Sequence, residues 1–144
     1  MMDPVTTVDK ETVLVSLCAF GVPCRYHGLY EKMGQRLYRT STEKLRKDYN
    51  VLPLCGAIMG GLPTPRPGCV VEESPEGLRV IGKDDSSIDY TDQYNKGAEE
   101  VLKMAQMFNV KKAYLLKDCP MCGKDYGILA RLLKKNGILV HNVP

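Results

Sequence analysis

The sequence predicts an α/β fold: a single three-layer domain around a four-stranded, mainly parallel, Rossmann-like sheet, with a small hairpin as an excursion. Three observations predict it. Short apolar runs at Val13–Leu17, Val51–Leu54, Ala113–Leu116 and Ile138–His141 read as buried strands. Longer stretches with apolar residues at helical spacing lie between them. Alternation of this kind implies right-handed crossovers, with helices covering both faces of the sheet.

Residues 1–11 read as an N-terminal tail, which leaves 12–144 as the domain. The first strand runs straight into Cys18. A loop punctuated by Gly21, Pro23 and Gly28 follows and carries Cys24, Arg25, Tyr26 and His27. Residues 29–49 are helical in pattern, with Leu37, Leu45 and Tyr49 available for an inward face. Ser41-Thr42-Glu43-Lys44 resembles a helix start, so one broken helix or two short ones are expected. The second strand contains Pro53, which donates no hydrogen bond and is tolerable at a sheet edge or strand end.

Residues 55–69 are too rich in Gly and Pro for regular structure and are expected as a shaped loop, with Cys55 at its start and Cys69 at its end. Val70-Val71 and Leu78–Ile81 flank Ser74-Pro75-Glu76-Gly77, a hairpin pattern. A helix is expected over Asp92–Phe108, with Thr91 or Asp92 as N-cap. Its inward stripe is Ala98, Val101, Leu102, Ala105 and Phe108, and Asn109 ends it. The third strand leads into Cys119-Pro120-Met121-Cys122-Gly123. A last helix, from Gly127 or Ile128 to Lys135, closes on Asn136-Gly137 before the fourth strand.

With 144 residues, 44% hydrophobic and 26% charged, the chain can bury a core without covalent staples. The polar N-terminus has no secretory pattern, and no apolar run is long enough to span a membrane. A reducing cytoplasm is the expected compartment, where clustered cysteines bind metal or do redox chemistry. A net charge of +3 is too mild to argue for a nucleic-acid polymer, and the 8 Tyr form no stacking ladder. The expected partner is a small molecule, for a monomer or homodimer.

Three apolar runs end in cysteine: Cys18, Cys55 and the Cys119–Cys122 pair. Parallel strands place these four thiols along one sheet edge, where open α/β sheets bind ligands. Two thiols at Cys-x-x-Cys spacing chelate a metal, hold a cluster or form a redox disulfide. Zinc sites favour two close ligand pairs, and this quartet has one, which tilts the balance toward an iron–sulfur cluster over zinc. The plainer reading of Cys18 and Cys55 is that they are small buried apolar residues.

The run Val15-Ser16-Leu17-Cys18-Ala19-Phe20-Gly21-Val22-Pro23-Cys24-Arg25-Tyr26-His27-Gly28 resembles the opening motif of the TudS-type thiouracil desulfidases. Cys55 with Gly60-Gly61-Leu62-Pro63-Thr64-Pro65-Arg66 resembles their second motif, and Cys119-Pro120-Met121-Cys122-Gly123 their third. The resemblance covers roughly residues 14–141. It implies a [4Fe-4S] cluster held by Cys18, Cys55 and Cys122, with one iron open to the sulfur of a thiocarbonyl substrate. The implied activity is conversion of a thiolated pyrimidine, free or as its nucleotide, to the oxo compound and sulfide. An open iron acts as a thiophilic Lewis acid, and a nearby carboxylate would shuttle protons.

The chain departs from that pattern twice. Gly56-Ala57 stands where the family has Pro-Glu, so the implied acid–base Glu is absent, and Cys119 stands where the family has Ser. Cys119 and its neighbour Asp118 are the candidate catalytic residues, although Asp118 also suits a turn. Arg25, Arg66 and Ser16 are the candidate substrate-binding residues: the arginines for an anion or a loop, Ser16 for a hydrogen bond near the first ligand. Cys24 is expected as a thiol near the site that is no ligand, Cys69 as without a metal role, and His141 as structural. Two other functions remain open: a carrier of [4Fe-4S] or zinc on all four of Cys18, Cys55, Cys119 and Cys122, and a dithiol redox protein using Cys119 and Cys122.

Overall fold

The computed structural model describes residues 10–28 and 32–144. Its four-stranded sheet is built from β1 (Thr12–Ser16), β2 (Asn50–Leu54), β5 (Lys112–Leu115) and β6 (Leu139–Asn142), in the order β2-β1-β5-β6 and parallel throughout. Strand β1 is central, and Leu14 pairs with Leu52 on one side and Ala113 on the other. Buried on both faces, β1 must be apolar along its length, which is why its sequence shows no alternation. Pro53 lies on the edge strand β2, where no ladder hydrogen bond is lost on the open side.

Helix α1 (Lys32–Asp48) covers one face of the sheet, with its Leu45 packed in one cluster with Val13 and Val15. Helices α3 (Thr91–Met107) and α4 (Ile128–Lys135) cover the other, above Leu14, Ala113, Leu115 and Val140. Each fully buried Leu on these faces contributes about 1.5–3 kcal/mol relative to an exposed one. The three-layer α/β expectation holds, and the hairpin forms its own two-stranded sheet from β3 (Cys69–Ser74) and β4 (Gly77–Gly82).

Several local expectations are corrected. Helix α1 is continuous through Ser41–Lys44, because the Thr42 hydroxyl donates back to the Arg39 carbonyl at 3.0 Å and leaves the amide ladder intact. Residues 55–69 contain one helical turn, α2 (Gly56–Met59). It fits because Gly60 and Gly97 lack side chains: a Cβ on Gly97 would overlap the Gly56 carbonyl, and one on Gly60 the Gln93 carbonyl. Neither Thr91 nor Asp92 caps α3. Asp89 accepts the Thr91 amide at 2.9 Å, and the Thr91 hydroxyl accepts the Val80 amide at 2.9 Å, tying the helix to the hairpin. Phe108 is 47% exposed, because Asn109 reverses the chain at φ 57° and Val110 takes the buried place. The side chain of Leu37 and the first nine residues of the expected tail lie outside what is described.

Candidate active site

The carboxyl ends of β1, β2 and β5 open into one cavity of about 620 Å³, lined by Cys18, Cys24, Cys55, Cys69, Cys119 and Cys122 among others. Local chain geometry delivers each thiol. A 3-10 turn over Leu17–Phe20 follows β1 and holds Cys18 at the strand end. Cys55 is the N-cap of α2. After β5, Asp118 takes a left-handed φ of 60°, and the Cys119 carbonyl accepts the Gly123 amide at 2.8 Å. That turn folds Cys119 and Cys122 onto the same wall, with Cys122 buried.

The sulfurs form a connected series. The Cys24 thiol lies against Cys18 and Cys55; its contact with Cys18 and its burial raise it to about 11. Contact with Cys24, reinforced by burial, pushes Cys55 up much further. The Cys122 thiol donates toward Cys119 and pulls it down to about 6 against its burial, with help from backbone amides and the Arg25 charge. Cys122 moves strongly upward in return, so in this pair the charge resides on Cys119 and the proton on Cys122. Ser16 opposes that rise: its buried hydroxyl donates to Cys122 Sγ at 3.4 Å and accepts the Leu116 amide at 2.9 Å.

Arg66 shapes the loop wall. Its Nη1 donates to the Cys24 carbonyl at 3.2 Å, the Pro63 carbonyl at 3.3 Å and Thr64 Oγ1 at 3.4 Å. Arg25 lines the cavity and acts electrostatically on Cys119. Asp118 is exposed at the rim. Ala57, at the position of the missing Glu, is 2% exposed and lines the cavity with an apolar methyl. Away from the site, His141 stacks on Tyr114 with ring centroids 5.4 Å apart.

The sequence places Cys18, Cys55, Cys119 and Cys122 along one edge, and all four line the cavity; it gives no sign that Cys24 would lie against two of them or that Cys69 would line the cavity. Tyr94, 3% exposed on α3 and part of the cavity wall, was not among the expected site residues. A signal for Tyr94 existed, since it lies one helical turn before Ala98 on the inward stripe.

Among the described residues no three Cys, His, Asp or Glu side chains are already posed around one point as metal ligands. The sulfurs lie close enough to shift one another's proton affinity. The donor set nevertheless fits a soft metal: sulfur from three separate chain segments on one cavity, beside the Arg25 charge. No helix among the described residues is long and apolar enough to cross a membrane.

Comparison with known proteins agrees with this geometry. The chain is 29% identical over 151 residues to the uncharacterized protein YbbK of Bacillus subtilis (strain 168), covering 89% of this chain and 93% of that one. A solved structure of the [4Fe-4S]-dependent thiouracil desulfidase TudS superposes with a TM-score of 0.73 at 28% identity, covering 92% of this chain and 91% of the other. The family model for 2-thiouracil desulfurase matches residues 13–143, and the chain belongs to that family.

Proposed function

We propose that this protein is an iron–sulfur-dependent desulfidase that replaces the sulfur of a thiolated pyrimidine, its nucleotide or a related small thio compound with oxygen and releases sulfide. The observation that carries the reading is the convergence of Cys18, Cys55, Cys119 and Cys122 on one cavity at the carboxyl edge of the sheet. Cys18, Cys55 and Cys122 would hold a [4Fe-4S] cluster. When bound, that cluster supplies a thiophilic Lewis acid for a thiocarbonyl sulfur.

The chain's own residues do the rest. Ser16 fixes the Cys122 sulfur from behind. Arg66 holds the loop carrying Cys24 against the loop carrying Thr64, so the cavity keeps its shape. Arg25 contributes positive charge for an anionic substrate. Cys119, already biased to its thiolate, accepts a proton from incoming water, and Asp118 stands at the rim to pass protons to solvent. The domain doing this work is 12–144, in a cytoplasmic protein acting as a monomer or homodimer.

The test is anaerobic loading with iron and sulfide, followed by measurement of sulfide released from a thiouracil. Sulfide release that disappears in Cys18→Ala supports the reading. Protein that stays free of iron after loading overturns it.

One observation favours a second reading, a cluster carrier with four protein ligands. Cys119 lies against Cys122 in the same cavity, where it can close the fourth position. A Cys119→Ser variant that keeps its cluster and its sulfide release excludes the carrier. Loss of the cluster in that variant supports it.

A further inference from the structure

The cavity carries a polar group that the cysteine chemistry does not use. Tyr94 lies on α3 and is 3% exposed, yet its side chain forms part of the cavity wall beside Ala57, Arg66 and Cys119. Its place is fixed by the crossing of α2 and α3. Gly97, three residues on, packs so closely on Gly56 that no Cβ fits between them, and Gly60 packs equally closely on Gln93. Tyr94 and Ala57 therefore flank one rigid contact and face the same space.

Tyr94 lines the cavity together with Arg66, whose Nη1 is committed to the Cys24 and Pro63 carbonyls and Thr64 Oγ1. A phenol carries one O–H to donate into that space. Burial and the nearby sulfurs Cys119 and Cys69 hold that phenol in its neutral, donating form. The methyl of Ala57 on the same lining can neither donate nor accept. The carboxylates on the lining, Asp84 and Asp118, are exposed at the rim, where water competes for them.

We infer that Tyr94 is a substrate-contacting residue, whose O–H donates a hydrogen bond to the heteroatom of a cyclic thioamide that gains negative charge as water adds to the thiocarbonyl carbon. No proton leaves Tyr94; the donor is neutral before and after the step. Preorganised donors in water-poor sites act on developing charge in this way, and removal of one costs about a hundredfold or more in kcat. The inference rests on the desulfidase reading above.

The experiment is Tyr94→Phe in protein loaded anaerobically with iron and sulfide, with 4-thiouracil as substrate and Tyr114→Phe, on the opposite face of the sheet, as control. Iron content, visible absorbance and Tm are measured alongside kcat and KM. The expected result is a kcat about a hundredfold lower, KM within a fewfold, and cluster and Tm as in the parent. A merely structural Tyr94 would move Tm or iron content instead of kcat, and that outcome overturns the inference, as does a kcat within a fewfold of the parent. If the loaded parent releases no sulfide from any thiopyrimidine tried, the desulfidase reading fails first and this inference falls with it. Activity in the parent that is unchanged in Tyr94→Phe removes Tyr94 alone.

Discussion

Ser16 Oγ lies 3.4 Å from Cys122 Sγ and joins the end of the central strand to the second cysteine of the Cys-x-x-Cys turn, 106 residues away. The same hydroxyl accepts the Leu116 amide at 2.9 Å, so one buried side chain pins two strand ends and one sulfur. Truncation in Ser16→Ala leaves a buried amide without a partner, which costs about 1–3 kcal/mol. The loss is read as a lower urea midpoint with an unchanged slope. The Cys122 thiol should also become harder to deprotonate, because the Ser16 hydrogen bond is what opposes its rise. Metal-free protein unfolding at the same urea midpoint in both forms would show that the hydroxyl is not needed there.

Cys119 should be the most readily alkylated of the paired thiols in metal-free protein at neutral pH. Its pKa falls from 9.0 to about 6, so the thiolate predominates above that pH and is lost as pH falls through it. The rate of reaction with iodoacetamide, followed by peptide mass spectrometry, should climb from pH 5 to pH 7 and then level off. Cys24, held up at about 11, and Cys55, raised further, should stay unmodified over that range. Modification of Cys122 ahead of Cys119 would contradict the proton placement within the pair.

The role of Cys119 toward a cluster separates by spectroscopy. If it leaves one iron open, mild oxidation of the loaded protein should give a 3Fe-type EPR signal, and Cys119→Ser should give the same signal. If it is a fourth ligand, the parent should resist that loss and the variant should hold no cluster. The comparison needs no substrate.

Gly97→Ala tests the contact that seats α2. Alanine favours the helix over glycine by about 0.5–1 kcal/mol. Its Cβ, however, would overlap the Gly56 carbonyl, a backbone atom that no rotamer change removes. Overpacking of this kind costs about 1–3 kcal/mol, so net destabilisation is expected. Displacement of α2 also moves Cys55, so iron uptake on reconstitution should fall together with Tm. A variant as stable as the parent would mean that α2 adapts freely.

Strand positions, helix positions and the parallel sheet were legible in the sequence because they rest on period and on strong stop signals. The apolar run of β1, Pro53 on an edge, and Asn109 and Asn136-Gly137 behind their helices are local facts. So is the arrival of three apolar runs at cysteine, and parallel topology turned that into one thiol edge. What the sequence could not decide was set by contacts between distant segments. Thr42 continues α1 instead of restarting it because its hydroxyl finds Arg39. Thr91 does not cap α3 because its hydroxyl is committed to the Val80 amide of the hairpin, and Asp89 accepts its amide. Cys24 enters the sulfur series because Arg66 draws the first loop against the second. Tyr94 faces the cavity because Gly97 and Gly60 let two helices approach backbone to backbone. Sequence period encodes which face of an element is buried; which side chains then meet across a cavity depends on how closely those faces can approach, and that is settled only when the elements pack.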